Sequence, residues 1–176
     1  MAQGLVFLFD QESDAAVREL WARLEKAGVP SLATHTHGKH RPHVTFAIGG
    51  AIPAAARDAL RADLRQLSIP RLWLATLAAF STIQNVLMLA AVVDTELLAV
   101  HSAVHDILAG RVKAPSAYYL PGSWVPHCTL AQGIEPAQTA AGFAAVHPVA
   151  PIHATVTEIG VMDTHTGAVD PIVELG

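Results

Sequence analysis

Two ten-residue stretches, RPHVTFAIGG from Arg41 to Gly50 and WVPHCTLAQG from Trp124 to Gly133, share one pattern. Aligned on His43 and His127, both read P-H-x-T-apolar-A-x-G, and the histidines lie 84 positions apart (127 − 43). The surroundings match as well: Pro53 follows His43 by ten residues, and Pro136 follows His127 by nine. This recurrence limits the possible folds more than any single segment does, because both copies must sit in equivalent settings. The period is too long and the copies too few for a stacked solenoid. An internal duplication building two similar lobes is the expectation that remains.

Side chains alternate between the two faces of a β-strand, so residues i and i+2 point the same way. His43 and Thr45 then share one face, with Val44 and Phe46 on the other. His127 and Thr129 repeat the arrangement, with Cys128 and Leu130 opposite. The apolar members anchor each strand, and the polar members line whatever lies beyond it. Pro42 and Pro126 suit a strand start, where a missing amide donor costs least.

The rest of the chain divides at its Pro and Gly residues. Leu5 to Asp10 reads as a strand, followed by a helix capped by Ser13 or Asp14 with Val17, Leu20, Trp21 and Leu24 on one face. Pro53 opens a second helix carrying Leu60, Leu64 and Leu67. Leu72 to Val93 contains no charge and is long enough for a membrane span. However, Ser81, Thr82, Gln84 and Asn85 split it into two strand-length pieces, and a hairpin is the better reading. Thr95 begins a third helix with Leu97, Val100, Val104 and Leu108 inward, and Gly110 ends it. A fourth helix runs from Pro136 towards Val146, and the final strands turn around Thr166 and Gly167. Each half thus reads helix, motif strand, proline-started helix, two strands. The expected class is α+β: two pseudo-symmetric lobes, each a mostly antiparallel sheet with helices outside, facing a central cleft. No linker of disordered composition separates them, so residues 1–176 are read as a single bilobal domain.

Chemistry follows from the paired motifs. Two imidazoles meeting from opposite lobes suit phosphoryl transfer: a neutral one takes a proton from the attacking oxygen, and a protonated one gives a proton to the departing oxygen. Histidine occupies either state near neutrality. Threonine hydroxyls at Thr45 and Thr129 can donate to non-bridging phosphate oxygens as charge rearranges. Such a site requires neither metal nor cofactor.

Composition narrows the partner. Eleven Lys and Arg against fifteen Asp and Glu give a formal charge of −4, which argues against affinity resting on many neutralised phosphates, and so against long duplex nucleic acid. A substrate with one or two phosphates remains compatible. The single cysteine, Cys128, forms no internal disulfide and is read as a core residue. The first residues do not read as a signal peptide, so a cytoplasmic, membrane-free protein is expected; the sequence is compatible with a monomer and does not fix the oligomeric state.

The motifs HVTF and HCTL, their separation and the bilobal order resemble those of the 2H phosphoesterases, among them the bacterial 2′–5′ RNA ligase-like proteins. The resemblance implies His43 and His127 as acid and base, Thr45 and Thr129 as phosphate-holding residues, and a water-filled cleft between lobes. It implies action on 2′,3′-cyclic phosphates or 2′–5′ bonds of nucleotides or short RNA ends.

Further candidates surround the motifs. Lys39 and Arg41 precede the first and could attract phosphate; Tyr118 and Trp124 precede the second and could stack on a base, though for Trp124 a plug onto the core is the favoured reading. Arg111 and Lys113 follow the third helix as further cations. His35, His37, His40 and His43 fall within nine residues, yet with no carboxylate or cysteine among them a solvated loop is favoured over a metal site. His101 and His105, four apart, lack a third ligand. Two rival readings stand beside the enzyme: a nucleotide- or RNA-end-binding module without turnover, and a metal protein built on the His35 to His43 cluster.

Overall fold

The computed structural model describes residues 1–82 and 84–176. The chain runs β1 (Gln3–Phe9), α1 (Gln11–Lys26), β2 (His43–Gly49), α2 (Ala54–Leu64), β3 (Leu72–Ala79), β4 (Leu87–Ala91), α3 (Thr95–Leu108), β5 (His127–Ala131), α4 (Pro136–Val146), β6 (Ile152–Ala154), β7 (Val156–Asp163) and β8 (Val169–Glu174). Two four-stranded antiparallel sheets form, in the orders β2-β1-β7-β8 and β5-β4-β3-β6. Helices α2 and α3 cover the first sheet, and α1 and α4 cover the second. This is the α+β, two-lobed class expected.

The duplication is more regular than the motifs suggested. Gln3 and Leu87, Gln11 and Thr95, His43 and His127, and Leu72 and Val156 open matching elements, each pair 84 positions apart. Only α2 and α4 depart, starting 82 apart. The repeating unit is therefore β-α-β-α-β, and it begins one strand earlier than the helix-first reading supposed. Its last strand crosses over: β3 of the first unit pairs with β4 of the second, and β7 of the second pairs with β1 of the first. Each sheet thus takes strands from both halves, so neither half is a lobe by itself. The segment from Pro151 to Asp163 breaks at Thr155 into β6 and β7, which belong to different sheets.

Helix starts follow the same repeat. Asp10 and Asp94, also 84 apart, cap α1 and α3, their carboxylates accepting from the backbone N–H of Ser13 at 2.9 Å and Leu97 at 2.8 Å. This corrects the expected cap at Ser13 or Asp14, both of which lie inside α1. The Asp10 carboxylate also accepts from the Ser13 hydroxyl and the Thr155 N–H. A carboxylate can take several donors at once and so fixes the helix start to the neighbouring strand. Leu67, placed on the second helix by spacing, falls past its end and is exposed.

One continuous core joins the two sheets. Val44, Phe46, Cys128 and Leu130, the apolar members of the motifs, are buried in it with Trp21, Leu24, Leu60 and Val104. Phe7 and Phe46 stack at 3.6 Å between ring centroids. Burying a large side chain of this kind contributes about 1.5–3 kcal/mol. The motif strands are therefore held from behind by the buried core. The uncharged run from Leu72 to Val93 forms β3 and β4 of one sheet; no helix among the described residues is long and apolar enough to cross a membrane.

Candidate active site

Both motif strands are edge strands, and the two edges abut. The Cys128 thiol lies against the backbone of His43, so the second residue of one motif meets the first residue of the other. Burial pushes that thiol up to about 12, with the His43 backbone acting the other way, which makes it a core group without nucleophilic character.

Each histidine is held in the same way. His43 donates from Nδ1 to the carbonyl of Arg41 at 2.6 Å, and His127 donates from Nδ1 to the carbonyl of Val125 at 2.7 Å. A carbonyl only accepts, so both Nδ1 atoms carry hydrogen. In the neutral ring Nε2 is then the basic nitrogen, and in the imidazolium it is a donor. Neither Nε2 has a hydrogen-bond partner among the described residues. Burial depresses the proton affinity of His43; the Arg41 carbonyl opposes this, while the His127 ring and the Arg41 guanidinium add to it. Burial likewise depresses His127, against the bond to Val125.

A β-bulge follows each threonine. Between β1 and β2 the partners step from Leu5–Ala47 to Val6–Thr45, leaving Phe46 unpaired. Between β4 and β5 they step from Leu87–Ala131 to Met88–Thr129, leaving Leu130 unpaired. Bulges twist a strand and re-aim side chains, and around these two, ring donors bond the strand carbonyls. Trp124 Nε1 donates to Thr45 O at 3.0 Å, His105 Nε2 to Phe46 O at 3.0 Å, and Trp21 Nε1 to Thr129 O at 3.2 Å. Thr45 is 8% exposed and Thr129 half-buried, and neither hydroxyl is engaged among the described residues.

The other sequence candidates divide. Arg41 reaches Glu158 on β7 with two hydrogen bonds at 3.1 and 3.4 Å, so its charge is partly neutralised. Lys39 is exposed on the preceding loop. Tyr118 is 78% exposed. Trp124 packs inward, stacked on His101 at 3.9 Å and tilted against Phe46 at 4.8 Å. Arg111, just past the end of α3, is tied to that helix through the Ile107 carbonyl.

The histidine-rich loop is not fully solvated, as the sequence suggested. His35, His37 and His40 turn partly inward, with the His37 and His40 rings 4.1 Å apart. His37 Nε2 and His40 Nδ1 are buried without a partner. His37 packs on Gly167 in the β7–β8 turn, where φ is +69° and any Cβ would overlap the ring. Among the described residues no group of three or more His, Cys, Asp or Glu is arranged to hold a metal ion. His40 is pushed down to about 4, by burial first and then by His37, His43 and His35, which places it beside the first motif.

Sequence reasoning missed Phe80, whose ring meets His127 edge-on at 5.0 Å. The ladder pairs Ala90 with both His127 and Thr76, and Met88 with both Thr129 and Ala78. Phe80 continues that face. Alternation along β3 was readable; its register against the motif strand was not.

A sequence model of the 2′-5′ RNA ligase superfamily matches residues 7–168. The fold is similar to a structure of Kluyveromyces marxianus Usb1 with uridine monophosphate, at 10% identity, 99% of this chain and 98% of that one, with a TM-score of 0.53. A further Usb1 structure from that organism matches at 12% identity over the same shares, with a TM-score of 0.52. No curated protein matches the chain.

Proposed function

Because the chain belongs to the 2′-5′ RNA ligase superfamily, we propose that it is a metal-independent phosphodiesterase. Its substrates are 2′,3′-cyclic phosphates or 2′–5′ phosphodiesters of nucleotides or short RNA ends. The observation that carries this reading is the matched pair of imidazoles, each fixed through Nδ1 and each with Nε2 unengaged. One Nε2 removes a proton from the attacking water. Oxygen attacks phosphorus, the bond to the 2′ or 3′ oxygen breaks, and the other Nε2–H supplies that oxygen with its proton. Thr45 and Thr129 donate to the non-bridging oxygens, whose negative charge grows during attack. The two histidines exchange roles with the direction in which substrate lies, since both are held through Nδ1 in the same way.

The test is turnover of 2′,3′-cyclic nucleotides and 2′–5′ dinucleotides in the presence of a chelator. Phosphomonoester formed under those conditions supports the reading. Saturable nucleotide binding with no product at any pH would favour the binding module instead, and turnover restored only by added metal would remove the metal-independent mechanism.

A further inference from the structure

The face of the second sheet that carries His127 continues past the catalytic residues as an uncovered strip. His127 pairs with Ala90, and Ala90 with Thr76. One step further along the same face come Val125 and Val92, 41% and 40% exposed, and then Trp73, 44% exposed. These strands are joined there by Ala91 N–H to Pro126 O and Val92 N–H to Trp73 O. Trp73 pairs with His153 on β6, and their rings stack at 5.2 Å with planes 15° apart. Leu72, Leu74 and Ala154, alternating with this pair, are buried on the helix side, so Trp73 and His153 lie on the His127 side.

The first sheet has no such strip. Val6, Leu8 and Met162, on the face of His43 and Thr45, are buried, beneath a region where His37 of the 33–42 loop packs on Gly167. The duplication thus leaves one lobe covered and the other open.

Resting on the phosphodiesterase reading above, we propose that the Trp73–His153 pair is a stacking platform for a single-stranded oligonucleotide. The strand would extend over the second sheet from the phosphate held by the two histidines. Three features favour that occupant. The strip runs continuously into the candidate site; its stacked pair offers an open π surface, which any base can use; and Arg71, exposed two residues before Trp73, supplies a cation for the backbone. Trp73 lies two strands from His127, about 10 Å across the sheet, a step on the scale of the neighbouring nucleotide and not of the reacting one. The substrate class is then an RNA end longer than a mononucleotide.

Wild type, Trp73→Ala and Trp73→Phe should be titrated by fluorescence anisotropy against a labelled single-stranded RNA of about ten nucleotides ending in a 3′-phosphate. Turnover of a 2′,3′-cyclic mononucleotide is measured alongside. The expected result is at least about fivefold weaker oligonucleotide binding in Trp73→Ala, from a stacking contact of roughly 1–3 kcal/mol. Trp73→Phe should lose less, and mononucleotide turnover should not change. Val92→Glu, which sets a negative charge on the strip, should weaken binding as well. Unchanged oligonucleotide affinity in Trp73→Ala overturns the proposal, as does a wild type that binds no oligonucleotide. It is overturned too if sedimentation shows a dimer that Trp73→Ala dissociates, because the strip then seats a second copy. Oligonucleotide binding that depends on Trp73 without any cyclic-phosphate turnover would retain the platform and remove the enzyme reading.

Discussion

The indole of Trp124 donates to the carbonyl of Thr45 at 3.0 Å, tying the residue three before one histidine to the residue two after the other. Trp21 makes the corresponding bond to Thr129 at 3.2 Å. Both threonines sit next to a bulge, on the edge strands β2 and β5. Each tryptophan therefore holds the backbone of a threonine proposed to bind phosphate. Trp124→Phe keeps ring packing against His101 and Phe46 but leaves the carbonyl unsatisfied, a cost of about 1–3 kcal/mol. Denaturant unfolding should show that loss, and kcat should fall while KM changes little. Full retention of both stability and kcat would assign the bond no positioning role.

The role proposed for the threonines rests on their hydroxyls. Thr45→Val and Thr129→Val preserve shape and remove the donor. Each should lower kcat by up to about 10²-fold, in line with loss of one preorganised donor to a developing oxyanion. Thr→Ser at either position should recover most of the rate. Equal losses in Val and Ser variants would point to packing instead.

The pH profile follows from the depressed proton affinity of both histidines. In the free protein burial favours the neutral rings, so the form with one ring protonated declines as pH rises through a value below 6.5. A bell-shaped kcat/KM profile should therefore peak on the acid side of 6.5, with limbs that belong to the pair and to neither ring alone. Bound anionic phosphate stabilises the imidazolium, so the kcat profile should lie at higher pH. A kcat/KM optimum on the alkaline side of the ordinary histidine value contradicts this.

His101 ties stability to pH. It is 1% exposed, stacked on Trp124, and donates from Nε2 to the Tyr119 carbonyl at 2.9 Å. Burial, and next the His105 ring, push it down to about 4 from an ordinary 6.5, while its carbonyl partners act upward. Between those values the unfolded chain binds more protons than the folded one. Stability is thus complete above 6.5 and is lost as pH falls towards 4. Thermal unfolding of His101→Phe, which keeps the stack but does not titrate, should show a shallower dependence across that window. A slope equal to that of wild type would place the acid sensitivity elsewhere, with His40 the next candidate.

Much of this arrangement was legible before any coordinates. The HxT alternation placed His43 with Thr45 and Cys128 towards the core, because strand geometry leaves few alternatives for a period of two. Pro136 marked the start of α4, since proline at a first helical position loses no bond. What was hidden depended on long-range pairing. The crossover of β3 and β7 cannot be read from element order, which is identical whether the last strand returns to its own sheet or joins the other. The bulges at Phe46 and Leu130 leave no local signal, as both residues continue an apolar pattern. Asp10 was overlooked as a cap because it also ends an apolar strand run, and Phe80 because its partner lies 47 residues away in sequence (127 − 80).

The proposed chemistry needs two imidazoles working as one acid–base pair, and single substitutions test that most directly. His43→Ala and His127→Ala, each confirmed as folded, should be assayed on 2′,3′-cyclic nucleotides across the pH range. Either change alone should abolish turnover. Wild-type rates from both variants on every accepted cyclic phosphate would contradict it.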